Sequence, residues 1–196
     1  MDGIISSIAV VRGAPDETVQ QLFRTLAERW QKVLRLAGVV AEPHGVADRS
    51  CGAGYLCRIG TGQRFAMFED RRRSPTTCHL DGSGALMASE AVQQDIAKGC
   101  DLAVLSKFGR LEAAGKGLRG AFNAAIEGSI PLLTSVSSSV AEEWKRLAAP
   151  GFVTLQPDAA EIDGWVRAVL PHALRGEAGD LGGGDGWRKH MRGWGR

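Results

Sequence analysis

Four cations, Lys107, Arg110, Lys116 and Arg119, stand in the stretch from Ser106 to Arg119, against one acid, Glu112. Gly109, Gly115 and Gly117 punctuate the same stretch. Fixed positive charge on a glycine-marked loop suits an anion such as phosphate or another oxyanion. The residues before it, Leu102 to Leu105, form an apolar run too short for a helix. Such a run has the pattern of a strand buried on both faces. Open α/β sheets place ligand chemistry at the carboxyl ends of such strands. Lys107 and Arg119 are therefore expected to hold an anion, with Gly109 in the loop and Glu112 positioning one of the cations. The alternative is a solvated loop leading into a helix that starts near Leu118.

A second glycine turn lies near the amino terminus. Residues 4–11, IISSIAVV, read as a first buried strand, and Arg12-Gly13-Ala14-Pro15 turns the chain into a helix opened by Pro15 or Asp16. Strand, glycine turn and helix are the outline of a phosphate-binding loop, G-x-x-x-x-G-K-[ST]. Counted from Gly13, however, Thr18-Val19-Gln20 stand where Gly-Lys-Ser/Thr belong. The phosphate lysine and the magnesium hydroxyl are missing, and Asp16 and Glu17 would repel a triphosphate. Gly13 remains a candidate for the anion site.

A local basic patch runs from Arg58 to Arg73 and includes Arg64, Arg71, Arg72 and Arg73. Arg72 and Arg73 are the residues expected to close over the ligand. Cys57 and Cys78 are candidate metal or oxometal ligands, with His79 or Cys51 as further donors. Thiolate suits copper, zinc or molybdenum, but no C-x-x-C is present, and free cysteines are commonly buried small hydrophobes. No serine triad can be assembled from His44, His79, His172 and His190. Ser135, Ser137 and Ser138 either line the ligand-facing edge or cap a helix.

Composition frames these sites. The chain has 196 residues, 44% hydrophobic and 23% charged, with a formal net charge of +2. That balance fits a globular protein and gives no broad basic face for nucleic acid. No apolar run approaches the ~20 residues of a membrane span. No basic leader precedes the first strand, and four cysteines are few for a disulfide scaffold. The expectation is a cytoplasmic protein with reduced thiols.

The elements that must position the candidates alternate. A helix over about 16–37 has its core face at Val19, Leu22, Phe23, Leu26, Trp30, Val33, Leu34 and Ala37, and Gly38 is read as its stop. Further strands are expected at 39–44, 55–59, 63–68, 102–105, 130–136 and 152–155. Further helices are expected at 85–98, 118–127, 140–147 and 158–170, the last capped by Asp158. Gly60-Thr61-Gly62 marks a hairpin. This order implies an α/β fold: a three-layer, mainly parallel sheet with an antiparallel β-hairpin insertion. Residues 1–175 are expected to form one domain. Residues 176–196, glycine-rich with Trp187 and Trp194 among basic residues, read as a flexible tail that could also dock on a partner.

The arrangement over about 6–170 resembles a bacterial family of unknown function. Its members are often found beside molybdate-transport and molybdoenzyme genes and are grouped with P-loop NTPases. The resemblance rests on Cys57, on Cys78-His79-Leu80-Asp81, and on Asp101-Leu102 followed by Lys107-Phe108-Gly109, Glu112, Gly115, Gly117 and Arg119. The family usually has asparagine in place of Ser106 and arginine in place of His79. A more distant likeness is to small nucleoside-triphosphatases, in which Gly109 and Glu112 match but Asp-Glu replaces Ser106-Lys107. Those acids would hold magnesium and orient water; lysine does neither.

The resemblance implies a P-loop-like fold with degenerate nucleotide motifs. The function it implies is nucleotide or oxyanion binding as an accessory to molybdenum metabolism. The implied cofactor is molybdate or another metal. The implied partners are a small anion, and a protein of a molybdate or molybdoenzyme pathway; a homodimer is admitted. A triphosphatase with a divergent site and a ligand-free interaction module are the alternatives.

Overall fold

Residues 6–43, 54–67 and 82–171 are described by the computed structural model. Within them the apolar strands distribute their side chains by the period of two that a pleated chain imposes. Ile8, Val10, Ala103, Leu105 and Leu132 face one side of a sheet, and Ala9, Val11, Leu102, Val104 and Leu133 face the other. Because both sides are apolar, both must be covered by helices.

The sheet has seven strands: β1 (Ile8–Val11), β2 (Leu36–Pro43), β3 (Gly54–Arg58), β4 (Arg64–Ala66), β5 (Leu102–Phe108), β6 (Leu132–Val136) and β7 (Val153–Leu155). Their order is β4-β3-β2-β5-β6-β1-β7. β2, β5, β6, β1 and β7 run parallel, and β3 is antiparallel to both β2 and β4. The helices α1 (Asp16–Trp30) and α6 (Ala159–Val169) cover one face. The other face is covered by α2 (Gly82–Ala97), α4 (Arg119–Glu127) and α5 (Ala141–Leu147). A one-turn helix, α3 (Arg110–Ala113), follows β5. The result is the expected three-layer, P-loop NTPase-like α/β fold with its hairpin insertion. Among the described residues no helix is long and apolar enough to cross a membrane.

Local signals explain most boundaries. Asp158 caps α6 by accepting from the Glu161 amide at 2.8 Å. Trp144 is fully buried and packs against Phe108 and Phe122, with ring centroids 5.2 and 5.7 Å away. β5 runs to Phe108, beyond the expected 105, and the largest departure from the sequence reading is at the first helix. The first helix stops at Trp30, not Ala37, and Leu36, Ala37 and Gly38 begin β2 beside β5. Gly38 is not a helix stop but a point of contact between strands. Its φ is +148°, and a Cβ there would lie 1.9 Å from the Val104 carbonyl oxygen.

That contact generates a stability prediction. Gly38→Ala forces either the strand pair apart or the backbone out of its conformation, because the obstructing atom is main chain and cannot rotate away. A loss of about 3 kcal/mol in unfolding free energy is expected from the combined strain and overpacking. Urea denaturation measures it. A loss under about 0.5 kcal/mol, the size of an ordinary surface change, would mean that β2 and β5 do not approach this closely.

Candidate functional site

β1, β5 and β6 end on the same side of the sheet, and a cleft of about 380 Å³ opens there. Its lining includes Arg12, Gly13, Asp16, Lys107, Ser135 and Ser137, with Ser138 beside them. The Gly13 turn leaves β1 with φ +102°, and a Cβ at this position would come 3.0 Å from Gln156 Oε1. Pro15 then caps α1 without a side-chain hydrogen bond, so the first-turn amides find no acceptor in the cap. The positive end of the helix dipole therefore lies at the cleft, a favourable place for negative charge.

Lys107 reaches this cleft because β5 is irregular. The β5–β6 pairing shifts register between Leu105 and Phe108. Strict alternation would put Phe108 on the face opposite Leu105, yet both pack in the same core cluster. The extra residue is the mark of a bulge. It turns Lys107 toward α1, where its ammonium pairs with the Asp16 carboxylate. The Ser106 carbonyl, at the bulge, accepts from Gln20 Nε2 at 2.6 Å and from Ser135 Oγ at 2.9 Å. Gln20 also accepts the Ala41 amide at 2.9 Å, so one buried side chain ties α1 to both β2 and β5.

The expected site residues fall into three groups. Gly13 and Lys107 meet in the cleft. Gly109, Glu112 and Arg119 form a separate cluster behind the loop after β5, outside the cleft lining. Glu112 is buried, and its carboxylate accepts the Gly109 amide at 2.9 Å and the Leu118 amide at 3.0 Å. Arg119 donates to the Glu112 main-chain carbonyl at 3.1 Å and to Asn123 Oδ1 at 3.1 Å. Among the described residues this carboxylate holds loop amides. Arg72, Arg73 and Cys78 lie outside the described residues, as do Cys51, His79 and the segment 172–196.

Cys57 is a buried thiol in β3, opposite Val40 of β2 and Arg64 of β4. Burial first, and then its hydrogen bond to Glu42, push its pKa up to about 11. The same bond is the largest cause holding Glu42 below its usual range, with Arg24 and Arg64 adding to it. Among the described residues no group of three or more His, Cys, Asp or Glu is placed to hold a metal ion.

Sequence reasoning passed over Arg12 and Gln20. Arg12 directly follows the last buried residue of β1, and Gln20 stands three positions before Phe23 on the buried side of α1. A polar residue on an apolar stripe was the available signal for Gln20.

Two measurements follow. Glu112→Ala removes a charged acceptor from two main-chain amides, each such bond contributing about 1.5–3 kcal/mol. A loss of about 3 kcal/mol in stability is expected in chemical denaturation, and a neutral change would contradict the loop-clamping role. Cys57, with its pKa raised from 9.0 to about 11, should hold about 100-fold less thiolate at pH 8 than an ordinary thiol. Alkylation followed by peptide mass spectrometry should find it labelled correspondingly slowly in the native protein and rapidly in denaturant. Equal rates in the two states would contradict its burial.

Comparison with known proteins places this geometry. The model of the family described as "Protein of unknown function (DUF2478)" matches residues 8–165. The chain is 33% identical over 130 residues to a protein of Bradyrhizobium diazoefficiens described as "Molybdenum import ATP-binding protein ModC 2". That match covers 63% of this chain but only 14% of the relative's length. No solved structure matches the chain. The family match spans every strand from β1 to β7 and most of α6, and on that ground the chain belongs to the DUF2478 family.

Proposed function

We propose that this chain binds an anionic ligand, a nucleotide phosphate or another oxyanion, in the cleft at the carboxyl ends of β1, β5 and β6. The observation that carries the reading is the Lys107 side chain, turned by the β5 bulge into a cleft that also holds the Gly13 turn and the start of α1. A lysine ammonium is a compact point charge with three rotatable donors, suited to an oxyanion. Ser137 and Ser138, just past the end of β6, add hydroxyls to the lining between Lys107 and the Gly13 turn. Gly109, Glu112 and Arg119 act in the proposal by holding the loop that follows Lys107. Arg72 and Arg73 are kept as the cations that would close over the ligand.

Binding, not hydrolysis, is the activity proposed. Ser106-Lys107 stands where a magnesium-holding acid pair would be needed, and Thr18-Val19-Gln20 lacks the phosphate lysine and its hydroxyl partner. A nucleotide is favoured among anions by the relative described as an ATP-binding protein, and a role in molybdenum metabolism by the same description. Cytoplasmic location belongs to the same proposal.

Lys107→Ala should weaken binding of the anion by about 1.5–3 kcal/mol, the range for hydrogen bonds to charged groups. Folding stability should change little, since a surface ion pair contributes only about 0–1 kcal/mol. Titration calorimetry of phosphate, molybdate and ATP against both proteins tests it. Unchanged affinity would place the site elsewhere. Turnover of ATP or GTP should stay far below the enzyme range of about 1 s⁻¹ and above; turnover within it, co-purifying with the protein, would replace binding by catalysis.

A further inference from the structure

The ion pair at the mouth of the cleft has a role of its own. Lys107 is the cation best placed for a ligand, yet its ammonium is already held by a carboxylate of the same chain, Asp16. The Asp16 side chain is 63% exposed and that of Lys107 34%, so the carboxylate approaches the lysine from the solvent side. It sits where an incoming anion would sit, and at the positive end of α1.

Arg12 also lines the cleft, and its Nε is buried without a hydrogen-bond partner among the described residues. A buried donor on a charged group without an acceptor is costly, and native proteins rarely leave one so. An oxyanion in the cleft would meet the positive charge of Arg12 as well as that of Lys107. Asp16 is the sole carboxylate among the described residues that line the cleft, and it is bound to an ammonium. A divalent cation brought in with a nucleotide would need oxygen ligands and would face Arg12 and Lys107 instead.

We propose that Asp16 is an internal stand-in for the ligand: a small oxyanion free of divalent metal displaces the Asp16 carboxylate from Lys107 and has Arg12 as the second cation of its site. This rests on the anion-binding reading of the cleft and narrows it to one class of ligand. Asp16 thereby sets a threshold. Only an anion that also draws on the charge of Arg12 competes with a carboxylate tethered at high effective concentration.

The test is calorimetric titration of the full chain with inorganic phosphate, with molybdate, and with ATP in the presence of either EDTA or Mg²⁺. Asp16→Asn should tighten binding of phosphate or molybdate at least about fivefold, the effect of removing one unit charge about 4 Å away in water. Arg12→Gln should weaken it. In the Lys107→Ala background Asp16→Asn should tighten binding less than it does in wild type, because the competition for the lysine is gone and only the direct repulsion remains. Thermal melts of each variant separate these effects from loss of fold, and Asp16→Ala provides a second neutral replacement at this exposed position. Should wild type bind anions while Asp16→Asn binds them no more tightly, the stand-in role is overturned and the cleft reading survives. Binding of ATP only with Mg²⁺ overturns the metal-free class. Absence of binding by wild type and Asp16→Asn alike overturns the cleft reading, and this inference with it.

Discussion

The carbonyl of Ser106 is the group on which the cleft depends. At the bulge β5 shifts register against β6, and the Ser106 carbonyl there is bonded by side chains. A buried carbonyl left unpaired would cost about 1–3 kcal/mol. Gln20 from α1 and Ser135 from β6 both donate to it, so the irregular strand is supported from two sides. The bulge in turn decides which face Lys107 serves. A regular strand would send Lys107 to the side of α2 and α4, away from the Gly13 turn.

Gln20 links this local arrangement to the whole sheet. Its amide oxygen accepts from Ala41 in β2 while its nitrogen donates to Ser106 in β5. The first turns of α1 are therefore fixed against two parallel strands, and Asp16, one turn earlier, is fixed with them. The meeting of Asp16 and Lys107 is a consequence of this bridge, not a chance encounter of two surface side chains. At the other end of the same strand pair, Asp101 holds Arg35 through its main-chain amide and its guanidinium, at 2.8 Å each. β2 and β5 are thus pinned at both ends, with Gly38 allowing the close approach between them.

Two kinds of charge follow β5, and they do different work. Lys107 is half-exposed in an open cleft. The Glu112 carboxylate accepts from main-chain amides on either side of the intervening loop, and Arg119 donates to the Glu112 carbonyl and to Asn123 Oδ1. Glu112 satisfies two amides that a tight glycine-rich turn leaves without ladder or helix partners. The Gly117 backbone packs close to that carboxylate, where a Cβ would lie 2.5 Å from Glu112 Oε1. The glycines of this stretch thus serve the clamp as much as they serve any ligand.

The sequence by itself determined the layered α/β architecture. Apolar runs of strand length, helical stripes such as Val19-Phe23-Leu26-Trp30, the Gly60-Thr61-Gly62 hairpin and the Asp158 cap are local signals, and each acts over a few residues. That the residues after β1 and β5 open on one edge of the sheet was legible too, because the two strands run in one direction; that Lys107 turns to the Gly13 side was not. The end of α1 was not legible: Leu34 to Ala37 suits a helix stripe and a buried strand equally, and only pairing with β5 selects the strand. The division of the charged loop was likewise beyond the sequence. Glu112 and Lys107 are both plausible site residues by type and spacing. Whether a side chain meets main-chain amides or an open cleft is decided by the bulge at Ser106, which is created by strands distant in sequence.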